Sequence, residues 1–152
     1  PGRILIIEDH TLLRAGLKAL LTQGGEFEVV GEFDNGRDAI RAVGALAPDL
    51  ILMDLSLPGI DGVEATRLIH RKYPDIKIVM LTTFDDDEYV YFAVKYGAVG
   101  YLLKNIRPND LVHSIKAIVA GATLFNRSIS SKILKAREGA PLEPAPEPDP
   151  GP

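Results

Sequence analysis

The chain has 152 residues, 46% of them hydrophobic, a net charge of −4 and no cysteine, which is enough for one full domain and short for two. Without cysteine there are no disulfides, thiolate metal sites or cysteine nucleophiles, and the mild acidity gives no electrostatic reason for these residues to bind nucleic acid. No apolar run approaches the roughly 20 residues that cross a bilayer and the N-terminus lacks a signal peptide's layout, so a soluble cytoplasmic protein without membrane contact is expected.

Arg3 to Ile7 is a short β-branched run followed at once by Glu8, Asp9 and His10. Two adjacent acids at a strand end repel unless a cation or a shared proton compensates them, so Glu8 and Asp9 look like half of a metal site. Thr11 to Leu21 predicts a helix, with Leu13, Leu17, Leu20 and Leu21 on one face, and Gln23-Gly24-Gly25 ends it. Phe27 to Gly31 predicts a second, shorter strand. Asn35-Gly36 opens a helix to about Leu46, which Pro48 separates from the next strand.

Leu50 to Met53 is apolar without alternation, as expected of a strand buried on both faces of a parallel sheet, and Asp54 stands at its end. Leu57-Pro58-Gly59 and Asp61-Gly62 punctuate the turn that follows. Asp61 precedes Glu64 by three residues, the spacing of a capping box, which predicts a helix from Gly62 to about Lys72 and a structural role for Asp61. Lys77 to Leu81 predicts a fourth buried strand ending in Thr82-Thr83. Asp85 and Glu88 repeat the capping spacing before a helix that turns Val90 and Val94 inward and ends at Tyr96. Gly97 to Gly100 is a stop and turn, and Tyr101 to Leu103 a fifth strand that delivers Lys104. Pro108 suits the first turn of a last helix with Leu111, Ile115, Ile118 and Val119 on one face. Five strands alternating with five helices define an α/β fold, a doubly wound parallel sheet with right-handed crossovers.

In such a sheet, ligands bind at the carboxyl ends of the strands. Those ends carry Glu8 and Asp9, Asp54, Thr82 and Lys104, and each has a use in phosphoryl chemistry. A carboxylate can attack phosphorus, a hard divalent ion can bridge carboxylates to phosphoryl oxygens, and an ammonium and a hydroxyl can hold those oxygens. His10, His70 and His113 show no clustered metal spacing, so surface or helix roles are expected for them.

The chain resembles a response regulator receiver domain of two-component signalling. The resemblance rests on Ile4-Leu-Ile-Ile-Glu-Asp9, Asp49 through Gly62, Met80-Leu-Thr82 and Gly97-Ala-Val-Gly-Tyr-Leu-Leu-Lys104, and covers roughly residues 3 to 122. It implies a CheY-like, flavodoxin-like (βα)5 fold with strand order 2-1-3-4-5. It implies that Asp54 accepts a phosphoryl group from a sensor histidine kinase. Glu8, Asp9, Asp54 and the backbone carbonyl of Ser56 would hold Mg²⁺ or Mn²⁺. Thr82 would be the switch hydroxyl, Lys104 the counter-ion of the phosphate and Tyr101 the switch aromatic, with Ser56 and Thr83 beside the phosphate. The face carrying the fourth helix, fifth strand and fifth helix is the expected readout surface, and a homodimer is expected on phosphorylation.

One position departs from the family pattern: receiver domains usually place a proline after this lysine, in a cis peptide, and here Asn105 stands there. Together with Glu8-Asp-His10 and Leu81-Thr-Thr-Phe-Asp85, Asn105 is similar to the NarL/FixJ subfamily. In that subfamily a LuxR-type helix-turn-helix domain binds DNA, and DNA binding is expected only through such a domain, beyond this chain. The expected organisation is a receiver domain over 1–122 and a short segment over 123–139, with Ser128 to Arg137 as a sixth helix. A proline-rich acidic linker over 140–152 follows, so the chain is expected to be part of a longer transcription factor. Two other readings stay open: a phosphorylation-independent interaction module, and an aspartyl-nucleophile phosphatase. The second is weakened because Ser56 stands where such enzymes carry a second Asp.

Overall fold

In the computed structural model the described residues are 2–83 and 87–123. Asp85 of the expected Asp85–Glu88 capping pair, the helix expected at Ser128 to Arg137 and the proline-rich segment over 140–152 lie outside them. Five parallel strands, β1 (Gly2–Ile7), β2 (Phe27–Phe33), β3 (Leu50–Asp54), β4 (Lys77–Thr82) and β5 (Gly100–Leu103), form one sheet in the order β2-β1-β3-β4-β5. Between and after them come α1 (Thr11–Thr22), α2 (Gly36–Leu46), α3 (Gly62–Lys72), α4 (Asp87–Lys95) and α5 (Pro108–Val119).

The unbroken apolar runs have the cause the sequence suggested: both faces of the sheet are covered. Side chains alternate across a strand, so neighbours enter opposite layers. Leu5, Ile7, Ile51, Met53, Ile78 and Met80 meet Ala39, Val43, Ala65, Ile69, Val90 and Ala93 of α2, α3 and α4. Ile4, Ile6, Leu50, Leu52, Val79 and Leu81 meet Leu17, Leu21, Leu111, Ile115 and Ile118 of α1 and α5. A side chain of this size contributes about 1.5–3 kcal/mol on full burial, and these two layers hold the carboxyl edge of the sheet rigid.

The second strand is longer than expected, running to Phe33 rather than stopping at Gly31. Gly31 is closely packed inside the strand: a Cβ there would lie 2.7 Å from Leu46 Cδ1 and 2.9 Å from Leu5 Cδ1, so those side-chain ends would have to shift. The register of β2 against β1 slips between Ile4 and Leu5, from Val29 to Gly31, which leaves Val30 as an extra residue.

Helix starts follow their side-chain caps. Asn35 accepts from the Asp38 amide at 2.8 Å, and Asp61 from the Glu64 amide at 2.9 Å. Only half of the expected capping box forms at α3, because the Glu64 carboxylate turns to Arg67 at 3.0 Å. His10 caps α1, its Nδ1 accepting from the Leu13 amide at 3.2 Å. No described peptide bond is cis, so the Lys104–Asn105 bond is trans.

Candidate functional site

Glu8 and Asp54 leave the ends of β1 and β3 almost without exposure, at 0% and 1%. Two buried carboxylates need compensation, and Lys104 at the end of β5 supplies it. Its Nζ lies 3.0 Å from Asp54 Oδ1, 3.1 Å from Glu8 Oε1 and 3.3 Å from Glu8 Oε2. The Ser56 amide donates to Asp54 Oδ1 at 3.1 Å, and the His10 amide to Glu8 Oε2 at 2.9 Å.

The backbone around these acids is fixed from three sides. The Glu8 amide donates to the Phe33 carbonyl at 2.9 Å, using the stretch of β2 beyond Gly31. Arg14 donates to the Glu8 carbonyl at 2.6 Å and faces Glu32 at 3.6 Å. The Lys104 amide donates to the Thr82 carbonyl at 2.7 Å, which ties the ends of β4 and β5 together.

Gly62 closes the turn after Asp54. A Cβ there would stand 2.2 Å from the Asp54 carbonyl oxygen and 2.9 Å from Leu55 Cα, and backbone cannot yield as a flexible side chain does. Gly62→Ala is therefore expected to destabilise the chain by about 3 kcal/mol, the upper end of ordinary overpacking. Urea unfolding of the two chains measures it, and a loss under about 0.5 kcal/mol, the range of neutral surface changes, would refute the close approach.

Burial dominates the electrostatics of Asp54. It pushes the carboxyl from 3.8 up to about 7, against the pull of Lys104 and the Ser56 amide, and the charge of Glu8 adds to the rise. Burial alone would lower Lys104, but its bonds to Asp54 and Glu8 outweigh that and hold the ammonium above its ordinary value. Asp54 Oδ2 is buried without a hydrogen-bond partner. Asp9, which is exposed, has a carboxylate oxygen within 4.8 Å of ligand atoms of Glu8 and Asp54. A cluster of three carboxylates, one of them with an orphaned buried oxygen, fits a hard divalent cation with oxygen ligands.

A cleft of about 230 Å³ opens above Asp54. The structure brings Ser56, Thr82, Thr83 and Lys104 to its walls. Tyr101 is elsewhere, 8% exposed in the layer under α2, α3 and α4. Asp61, Val63 and Tyr89 also line the cleft and were not foreseen. Asp61 serves as helix cap and cleft wall together. Arg14 was missed too, because nothing in local spacing tells an arginine six residues after Glu8 from a surface one.

A parallel sheet in this order, with a buried acid between an acidic pair and an ammonium at its carboxyl edge, defines the CheY-like class of α/β proteins. The chain belongs to the response regulator receiver domain family, which it matches over residues 4–116. It is 39% identical over 133 residues to the transcriptional regulatory protein DegU of Brevibacillus brevis, covering 88% of this chain and 56% of DegU. It is 40% identical over 132 residues to LiaR of Bacillus subtilis strain 168, covering 87% of this chain and 63% of LiaR. The chain thus spans less than two thirds of each of these two transcriptional regulators.

Among solved structures, a LuxR-family two-component response regulator from Aurantimonas sp. SI85-9A1 is similar, with a TM-score of 0.79 and 33% identity over 90% of this chain and 98% of that one. The isolated receiver domain of RcsB from Salmonella enterica, in the presence of phosphomimetic BeF3-, has a TM-score of 0.76 and 27% identity over 86% of this chain and 96% of that one. Among the described residues no helix is long and apolar enough to cross a membrane.

Proposed function

We propose that Asp54 accepts a phosphoryl group from the phosphohistidine of a sensor kinase, and that the resulting change of state controls a DNA-binding output domain. The observation that carries this is the asymmetry of the Asp54 carboxylate. Oδ1 is held by Lys104 and the Ser56 amide, while Oδ2 is buried and without a hydrogen-bond partner, and the carboxylate clusters with those of Glu8 and Asp9.

Glu8, Asp9, Asp54 and the Ser56 carbonyl would hold Mg²⁺ or Mn²⁺. When bound, the ion neutralises charge on the phosphoryl oxygens. The chain's own residues do the rest. An Asp54 oxygen forms the new P–O bond as the donor's P–N bond breaks and the imidazole leaves. Lys104 then faces a group carrying roughly 1.5–2 negative charges instead of a carboxylate, and the Thr82 hydroxyl donates to a phosphoryl oxygen as the loop after β4 moves inward. Tyr101, buried in the layer under α2, α3 and α4, follows into the space this vacates. The face of α4, β5 and α5 carries the change to a second copy or to the output domain. The phosphorylation and slow hydrolysis are self-catalysed in the limited sense that the site would position metal and water, without turnover of a metabolite. Residues 1–122 act as the receiver unit, and the remainder connects it to the output.

Acetyl phosphate is the simplest probe. One Mg²⁺-dependent phosphoryl adduct is expected by intact-mass spectrometry on the wild-type chain, with none on Asp54→Asn. A folded, Mg²⁺-binding wild type that takes no label would instead make the chain a phosphorylation-independent interaction module.

A further inference from the structure

The cleft over Asp54 is larger than the phosphoryl group that its polar residues would hold. Its 230 Å³ of free space compares with about 10–15 Å³ for a single water-sized sphere. Its lining is mixed: beside the polar Asp54, Thr82 and Lys104 it carries the apolar side chains of Leu55 and Val63 and the ring of Tyr89. Tyr89 is 56% exposed, a rare state for a large hydrophobic side chain in this structure, shared among the described residues only with Leu12. Val63 and Tyr89 also line a second cleft, which passes Phe92 and Tyr96 between α3 and α4. An apolar surface therefore leads outward from the phosphoacceptor.

In-line displacement sets the direction of the leaving group. Phosphorus approached by a buried Asp54 oxygen must carry its leaving group on the far side, toward the open mouth. Tyr89 is exposed and lines this same cleft.

Building on the assignment of Asp54 as phosphoacceptor, we propose that Leu55, Val63 and Tyr89 form a subsite for the leaving group of the donor. The subsite favours a planar ring on the phosphorus, the imidazole of a phosphohistidine or a free phosphoimidazole, over a small hydrated leaving group. The imidazole departs with the electron pair of the broken P–N bond and takes a proton from solvent. Tyr89 offers its ring an offset or edge contact, and the subsite removes apolar edge from water.

Two donors separate the ring from the bond. Phosphoramidate and monophosphoimidazole both carry the phosphoryl group on nitrogen, and only the second has the ring. Labelling rates of the whole chain with Mg²⁺ are measured by intact mass across donor concentrations, and the ratio of imidazole donor to phosphoramidate is compared between variants. Tyr89→Ala is expected to lower that ratio about tenfold, mostly through the half-saturating concentration, and Tyr89→Phe to keep it near the wild-type value. An unchanged ratio in Tyr89→Ala would overturn the subsite while leaving Asp54 as acceptor. A wild type that neither donor labels, although folded and binding Mg²⁺, would overturn the acceptor assignment and the subsite with it.

Discussion

In the presence of a chelator, Asp54→Asn is expected to be more stable than the wild-type chain at pH 8, by about 3 kcal/mol. Burial raises the Asp54 carboxyl from 3.8 to about 7, so the folded chain binds this proton more tightly than the unfolded chain does. Below 3.8 both states are protonated and the group costs nothing. As the pH rises from about 4 to about 7 the unfolded chain ionises first, and stability falls by up to about 1.4 kcal/mol per pH unit. Above about 7 both states are ionised and the deficit stays constant. Three units give about 4 kcal/mol as a ceiling, reduced because the variant also loses the contact with Lys104. Urea unfolding in EDTA between pH 4 and 8 measures both chains. The two should converge near pH 4 and separate above it. A variant less stable than wild type at pH 8 would mean that the Lys104 pair, and not burial, governs this carboxylate.

Lys104→Met is expected to act in the opposite sense and lower stability in EDTA by about 4 kcal/mol, the usual cost of stripping one partner from a buried charge pair. The substitution leaves Glu8 and Asp54 buried side by side with no cation between them. Two further measurements separate this cause from lost packing. Adding Asp54→Asn should recover more than 1 kcal/mol, since contacting charges are not additive. Saturating Mg²⁺ should return about 2.7 kcal/mol at 100 times its dissociation constant. Labelling by acetyl phosphate should slow about 100-fold, the effect of losing one charge-stabilising donor. If neither the second substitution nor Mg²⁺ recovers stability, the lysine stem and not its charge was the stabilising part.

The carboxyl edge of the sheet was legible because its causes are local in sequence. An apolar run that ends in a charged or hydroxyl residue marks both the strand and its end, so Glu8, Asp9, Asp54, Thr82 and Lys104 could be placed before any distance was known. What escaped depends on contacts between distant segments. The second strand was expected only as far as Gly31, whereas it runs on to Phe33 with Leu5 and Leu46 packed close to Gly31 from other elements. Glu64 had the spacing to close a capping box, but Arg67 one turn on is a charged partner, and the ion pair forms instead. Tyr89 gave no warning because an aromatic in the first turn of a helix looks like core until the strand ends that make the cleft are assembled beside it. Tyr101 behaved as its position suggested, a buried strand aromatic.

The extra residue in β2 has a reach beyond the edge where it sits. With alternation unbroken from Phe27 and Val29, Glu32 would face the α2 layer; after Val30 the phase is reversed, and Glu32 meets Arg14 and Lys18 of α1 at 3.6 and 3.1 Å. Arg14 is the residue that grips the Glu8 carbonyl. Deleting Val30 would only remove the bulge and keep this pairing; drawing Val30 into regular pairing instead would shorten no helix and touch no residue of the acidic pocket, yet it would turn Glu32 away from its two cations and bring Phe33 to the wrong layer. The outermost strand, where changes in length are ordinarily tolerated best, thus keeps count for the acidic pocket two strands away.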